Sequence, residues 1–258
     1  MSAPEGHIHW REPHRVTTYD VDFANRLRLS TVFSLMQDAA SNNADHLGWG
    51  YDALKKDSLF WVLSRAKILI HRHPVLGDDL TVDTWPKRVE GIFAVRDFRI
   101  HGPQGDVLCA ATTCWLMLDE RSMRPVKPAE LLRRYPFNDA SSAIDEVPGK
   151  LAEPGVKTPA YEKQVRYMDI DVNLHVNNVS HIASILDCFP LEQFRQRRIA
   201  SMQVNYTGEL KHGDVLRLFS ADASPDGELS YVDGENQGGK KIFQSLIEWK
   251  QHLSVTIT

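Results

Sequence analysis

Residues 168–182 read MDIDVNLHVNNVSHI, and the spacing of polar and apolar residues changes within this stretch. Up to residue 176 the two classes alternate, which is the period of a strand with one buried face. The polar positions are Asp169, Asp171, Asn173 and His175, and the apolar positions are Met168, Ile170, Val172, Leu174 and Val176. The pattern predicts a half-buried strand whose other face carries two acids, an amide and an imidazole.

A helix is predicted directly after this strand. Its apolar positions recur every three or four residues, at Val179, Ile182, Ile185 and Leu186. This is the period of a helix with one apolar face, and Asn177 or Asn178 stands where its N-cap is expected. The free N–H groups of the first helical turn, near residues 176–178, are expected to carry partial positive charge and to be able to bind a developing oxyanion.

The first half of the chain repeats this order of elements. Residues 18–48 again place an alternating segment, Tyr19 to Phe23, before a helical pattern, and Asp20-Val21-Asp22-Phe23 corresponds to Asp169-Ile170-Asp171-Val172. Further along, residues 64–82 align without gaps to residues 200–218, and strand patterns separated by turns follow in both halves. The sequence therefore predicts a duplicated unit of one long helix followed by an antiparallel meander.

A helix wrapped by a curved antiparallel sheet is the hotdog fold. We therefore predict an α+β protein of two tandem hotdog domains, residues 1–135 and 158–258, joined by a proline-containing linker at 136–157. The halves differ at the polar positions, because Ala24 stands in the place of Asn173, the first half has no histidine near it, and His73 aligns with Glu209. The second half is predicted to carry the chemistry, and the first, with a degenerate site, to shape a pocket.

The composition excludes several other classes. The chain of 258 residues has a net charge of −4 and a pI near 6.3, which makes nucleic acid an improbable partner. No apolar run reaches membrane-spanning length, so we predict a cytoplasmic protein without a membrane partner. The three cysteines predict no disulfide framework. His-x-His pairs lack a third ligand in the pattern, so neither a metal site nor a cofactor is predicted.

One motif is specific enough to indicate a family. The pattern Asp-x-Asn-x-His-Val-Asn-Asn at residues 171–178, followed 34 residues after its histidine by Glu209, resembles that of the fatty-acyl-[acyl carrier protein] thioesterases of plants and bacteria. The resemblance spans nearly the whole chain. It implies a double hotdog that takes part in fatty acid biosynthesis and hydrolyses the thioester between an acyl chain and the phosphopantetheine of acyl carrier protein. The catalytic residues that it implies are Asp171, Asn173, His175 and Glu209.

The mechanism expected from this resemblance is direct attack by water. Many plant members have a cysteine after the glutamate, but this chain has Leu210 there, which excludes a cysteine nucleophile at that position. Glu209 is expected to act as general base, Asn173 and His175 to orient the water and the base, and Asp171 to fix His175 or polarise the site. Phe33, Met36 and Trp61 are expected to contact the acyl chain, and Asn177 and Asn178 to bind the substrate near the reacting carbonyl.

Three alternatives are open from the sequence. Coenzyme A carries the same phosphopantetheine arm as acyl carrier protein, so an acyl-CoA thioesterase fits the local chemistry equally well. A less favoured alternative is a hydroxyacyl dehydratase of the same fold, which would use a histidine and an acid for elimination and leave the thioester intact. A non-catalytic acyl-binding protein fits less well because all four catalytic candidates are present. The internal pair of domains makes either a monomer or a homodimer possible.

Overall fold

The computed structural model describes residues 8–126 and 137–251. Within it the chain divides into two compact units, Met1–Gly149 and Lys150–Thr258. The division falls inside the segment 136–157 that the sequence predicts as a linker, while the predicted boundary between residues 135 and 136 lies outside the described residues. No helix in the described ranges is long and apolar enough to cross a membrane.

The first unit is a five-stranded antiparallel sheet with one long helix. Its strands pair in the order β1-β3-β4-β5-β2. The elements are β1 (Trp10–Arg15), α1 (Leu29–His46), α2 (Tyr51–Lys56), β2 (Leu59–Ile70), β3 (Asp79–Glu90), β4 (Phe93–His101) and β5 (Val107–Asp119). Helix α1 packs against β1 and β3. Its buried face includes Val32, Met36, Ala39 and Ala40, as the sequence predicts.

The second unit repeats this topology. Its strands pair in the order β6-β8-β9-β10-β7, so that each strand occupies the place of its counterpart in the first unit. The elements are β6 (Thr158–Gln164), α3 (Asn178–Leu186), α4 (Leu191–Gln196), β7 (Arg197–Tyr206), β8 (Val215–Asp222), β9 (Leu229–Asn236) and β10 (Lys241–Gln251). The predicted duplication and the α+β hotdog class are confirmed, although α3 has only 9 residues. Pro190 separates α3 from α4. Proline has no backbone N–H, so it is tolerated at the start of a helix and disrupts a helix interior.

Two strands that the sequence predicts are not strands. Both the segment at Tyr19 to Phe23 and the segment at residues 168–176 fold as turns, each closed by an isolated antiparallel bridge, Val21 with Leu27 and Ile170 with Val176. The period of two misled the prediction because in each segment an aspartate side chain bonds to the following backbone, which competes with sheet pairing.

The first part of the predicted linker packs on the sheet of the first unit. Asp97, which is fully buried on β4, accepts a hydrogen bond from the backbone N–H of Ala143 at 2.6 Å and lies 3.1 Å from the ammonium of Lys87. The same ammonium donates to the hydroxyl of Ser142 and to the carbonyl of Ile144. These residues are therefore held by a buried ion pair and ordered along the sheet.

Candidate active site

The loop between β6 and α3 is a compact double turn. A 3-10 turn at Tyr167–Asp169 opens it, and the carboxylate of Asp169 accepts the backbone N–H of Arg166 at 2.9 Å. The bridge between Ile170 and Val176 then closes a tight turn around residues 171–175. Asp171, Asn173 and His175 consequently lie on a turn, and the prediction of a strand that carries them along one face is wrong.

Asp171 builds the turn from its own side chain. Its Oδ1 accepts the backbone N–H of Asn173 at 2.8 Å and that of His175 at 3.4 Å, while its own N–H donates to the carbonyl of His175. Aspartate and asparagine favour such turns because their short side chains reach the backbone two residues on. Leu174 completes the reversal in the left-handed region, with φ of 63°. Asp171 thus holds the backbone at His175.

The structure brings His175 and Glu209 together. Nε2 of His175 lies 3.4 Å from Oε2 of Glu209. The approach follows from the backbone, because the N–H of Val176 donates to the carbonyl of Leu210 and so ties the turn to the end of β7 and its following loop. The side chains of His175 and Glu209 are 31% and 49% exposed, so water reaches both. A carboxylate beside an imidazole at a wet surface can take a proton from water and pass it on.

The remaining catalytic candidate, Asn173, lies at the exposed tip of the turn. Its backbone N–H is held by Asp171, and its side chain is open to solvent. Of the four candidates, the structure therefore brings the side chains of two into contact and uses one to hold the turn. The side-chain amide of Asn173 is exposed at the tip of the turn.

The expected oxyanion site is largely occupied by the protein itself. The N–H of Val176 donates to Leu210 and the N–H of Asn177 to the carbonyl of Asp169, so neither is available to a substrate. Asn177 is the N-cap of α3, and its side chain accepts the N–H of Val179 at 2.9 Å. Asn178 is the first helical residue, where an N–H has no acceptor within its helix. The prediction that the backbone N–H groups of residues 176 and 177 bind an oxyanion is wrong. Of the three N–H groups at residues 176–178, that of Asn178 suits this role.

The three apolar residues predicted to bind the acyl chain lie in the first unit. Phe33 and Met36 are buried on α1. Trp61 is half-buried on β2, where its indole N–H donates to the carbonyl of Trp49 at 3.0 Å. It belongs to a partly buried apolar cluster around Ala94, with Leu47, Trp49, Val89, Trp115 and Phe137. All three residues therefore lie in the hydrophobic packing of the first unit.

The alternating pattern also misplaced the apolar residues of this loop. Met168, Val172 and Leu174 were predicted to face the core, but they are among the most exposed apolar side chains of the described residues, and Tyr167 joins them. The Asp-x-Asn pattern, which favours an aspartate-capped turn, was the signal that could have revealed this. Among residues 8–126 and 137–251, no group of three His, Cys, Asp or Glu side chains is arranged to hold a metal ion.

Comparison with known proteins gives two family matches that cover most of the chain. The acyl-ACP thioesterase N-terminal domain matches residues 8–135, and the acyl-ACP thioesterase C-terminal domain matches residues 156–251. A chloroplastic acyl-[acyl-carrier-protein] hydrolase of Cuphea viscosissima is 25% identical over 97% of this chain. The chain spans 61% of the length of that relative.

Solved structures agree along nearly the whole chain. An acyl-ACP thioesterase from Bacteroides thetaiotaomicron superposes with a TM-score of 0.81 at 25% identity, covering 96% of this chain and 100% of that one. A 12:0-ACP thioesterase from Umbellularia californica gives a TM-score of 0.83 at 25% identity, with 94% of both chains covered. The same double-hotdog architecture is therefore found in both.

Proposed function

Because this chain belongs to the acyl-ACP thioesterase family, we propose that it hydrolyses fatty acyl-[acyl carrier protein] to a free fatty acid and holo-carrier protein. The observation that carries the proposal is the contact of 3.4 Å between His175 and Glu209 on a loop open to water. The curated relatives are longer than this chain. Their names describe hydrolase and thioesterase activity on acyl carrier protein substrates, which supports the proposal for the part of their length that this chain matches.

The proposed reaction begins with attack of water on the thioester carbonyl. Glu209 accepts a proton from the water as the O–C bond forms, and the carbonyl oxygen becomes an oxyanion in a tetrahedral intermediate. The C–S bond then breaks, the phosphopantetheine thiolate leaves, and the proton held by Glu209 passes to the sulfur. No external oxidant or cofactor is needed for this balance.

The other residues orient this chemistry. His175 directs the carboxylate of Glu209 and the attacking water, and Asp171 acts through the backbone that positions His175. Asn173 contributes its exposed side-chain amide to the water or to the carbonyl oxygen. The amide of Asn178, at the start of α3, stabilises the oxyanion.

A cysteine nucleophile has no place in this scheme. Leu210 is fully buried, and its carbonyl oxygen accepts the N–H of Val176, so this position holds the turn against the loop that follows β7. The first domain, residues 1–135, is proposed to receive the acyl chain near Phe33, Met36 and Trp61, and the second, residues 158–258, to carry the chemistry. The cytoplasmic location stays a prediction, and the plant relatives are chloroplastic by name.

The proposal is tested by measuring thiol release from acyl-carrier protein and acyl-CoA substrates of several chain lengths. Wild-type protein is expected to release thiol from the carrier series, and Glu209→Gln to lose about two to four orders of magnitude in kcat. Glu162→Gln is the matched control, because Glu162 is an exposed glutamate of the same unit that pairs with Arg217 on the surface. Retention of most activity by Glu209→Gln would require a different base.

The same measurement separates the alternatives. Release from acyl-CoA alone would identify an acyl-CoA thioesterase. Elimination of water from a hydroxyacyl thioester, with the thioester intact, would identify a dehydratase. Binding of an acyl chain with no turnover by a folded protein would identify a non-catalytic acyl-binding module.

A further inference from the structure

Four large apolar side chains are exposed on the loop that carries His175. Tyr167, Met168, Val172 and Leu174 are 83%, 85%, 92% and 73% exposed. We call these four residues the collar. A single exposed apolar side chain is ordinary on a protein surface, but a group of them within eight residues marks an interaction site.

The geometry of the turn explains why the collar and the proposed reacting pair lie together. Asp171 curls the backbone around residues 171–175, which aims Val172 and Leu174 outward while His175 meets Glu209. Glu209 is 49% exposed and lies 3.4 Å from His175 of this turn, so a thioester that reaches Glu209 from solvent lies next to the turn. Whatever macromolecule carries the thioester is therefore brought against the collar.

Two exposed cations lie beside the collar. Arg166 directly precedes Tyr167, and Lys211 follows Leu210, whose carbonyl is bonded to the turn through Val176. The acids of this region face local partners. Asp169 pairs with Lys163, Glu209 faces His175, and the carboxylates of Asp171 and Asp214 accept backbone N–H groups. An apolar patch edged by lysine and arginine is complementary to an acidic protein surface.

We propose that the collar, together with Arg166 and Lys211, is the docking surface for acyl carrier protein. This inference rests on the proposed hydrolytic function. It assigns to acyl carrier protein a binding surface that coenzyme A would not use. Four side chains on a single loop suit a transient encounter, whereas a stable protein–protein interface generally buries about 800 Å² on each partner. An enzyme that releases its carrier after each turnover needs an encounter of the first kind.

The test compares two substrates that share one acyl chain. In a Met168→Ser/Val172→Ser variant, kcat/KM for acyl-carrier protein relative to acyl-CoA is expected to fall about tenfold. Arg166→Ala/Lys211→Ala is expected to lower the same ratio at low salt and to have less effect at high salt. Tyr19→Ser is the matched control, because Tyr19 is 89% exposed and occupies the position of Met168 in the first unit. This variant is expected to leave the ratio unchanged.

Binding measured without turnover makes the result independent of acyl-CoA activity. In a Glu209→Gln background, the Kd for acyl-carrier protein is expected to rise about tenfold when Met168→Ser/Val172→Ser is added. If wild-type protein releases no thiol from any thioester, the proposed function fails. If it hydrolyses acyl-carrier protein but the collar variants change neither the ratio nor the Kd, this inference alone is overturned.

Two other occupants of the collar give distinct results. If the collar joins two copies of the chain, sedimentation would show a wild-type dimer that the collar variant dissociates, with the substrate ratio unchanged. If it binds lipid, wild-type protein would sediment with anionic phospholipid vesicles and the variant would not, again with the ratio unchanged. Either result would replace the carrier as occupant.

Discussion

The loops that precede the first helix of each unit, residues 16–28 and 165–177, have the same backbone but different chemistry. In the first loop the carboxylate of Asp22 accepts the backbone N–H groups of Ala24 and Arg26 at 2.8 and 3.0 Å. The bridge between Val21 and Leu27 closes the turn, and Asn25 has φ of 62°.

The second loop repeats each of these features. The carboxylate of Asp171 accepts the N–H groups of Asn173 and His175, and Leu174 has φ of 63° at the position of Asn25. Each loop is also tied to the loop after a long strand, since Leu27 donates to Pro74 at 2.8 Å as Val176 donates to Leu210 at 2.9 Å.

The side chains on this shared backbone behave differently. Arg26, at the position of His175, turns back to Asp22, and its Nη2 lies 3.1 Å from the carboxylate. His175 instead reaches Glu209, and His73 stands at the aligned position of the first unit. The comparison shows that the turn is a structural scaffold, and that the histidine and glutamate added to it are what distinguish the second loop.

The largest effect is expected from giving the second loop the first loop's side chain. In His175→Arg, the guanidinium is expected to pair with Asp171 as Arg26 pairs with Asp22, so the fold is kept while the contact with Glu209 is altered. We expect kcat/KM for acyl-carrier protein to fall about 10²–10⁴-fold. The reciprocal variant Arg26→His should leave activity near wild type, and a large loss there would show that the first loop also takes part.

The next largest effect is expected from His181. This residue lies four positions after the N-cap of α3, and Val32 lies at the corresponding position of α1. His181 is buried, its Nδ1 has no hydrogen-bond partner in the described residues, and its ring lies 5.2 Å from that of Phe243. Burial, aided by Lys163 and opposed by Asp169, lowers the pKa of His181 from 6.5 to about 4.

This lowered pKa makes folding stability depend on pH. Below pH 6.5 the unfolded chain binds a proton at His181 that the folded chain does not bind until about pH 4. Wild-type protein should therefore lose up to about 3 kcal/mol from this group as the pH falls from 6.5 to 4. His181→Val should lack that part of the loss in urea unfolding curves, whereas His71→Val, which replaces an exposed histidine, should follow wild type.

A smaller effect is expected from removing the aspartate of either turn. Asp171→Ala and Asp22→Ala should each lower the free energy of unfolding by about 1–2 kcal/mol, because each removes two side-chain hydrogen bonds to the backbone. Only Asp171→Ala should also lower kcat. Asp171→Asn should restore much of that kcat, since its amide oxygen can accept the same N–H groups; a failed rescue would assign the charge itself a role.

The smallest effect is expected at the left-handed position. Leucine is strained at φ of 63°, whereas asparagine tolerates this region, so Leu174→Asn should raise the free energy of unfolding by roughly 1 kcal/mol. Asn25→Leu should lower it by a similar amount. Thermal unfolding of both variants measures this, and equal midpoints for all three proteins would show that neither turn is strained.

Much of the fold could be predicted because repetition in the sequence carries the topology. The alignment of residues 64–82 with 200–218 predicted two equivalent units, and the strand order is the same in both. The N-cap at Asn177 and the apolar face of α3 followed from short-range spacing. The turn at residues 168–176 was mispredicted because alternation describes a strand and an aspartate-capped turn equally well over so few residues.

The sequence by itself determined the class of fold, the duplicated plan and the family motif, because these depend on periodicity and on the identity of residues along the chain. Only the tertiary structure decided that His175 meets Glu209, that Asp171 acts on the backbone, and that Val172 and Leu174 face solvent. The physical reason is that side-chain direction in a turn depends on local hydrogen bonds and on a distant loop. The spacing of polar and apolar residues along the chain contains no information about either the local hydrogen bonds or the distant loop.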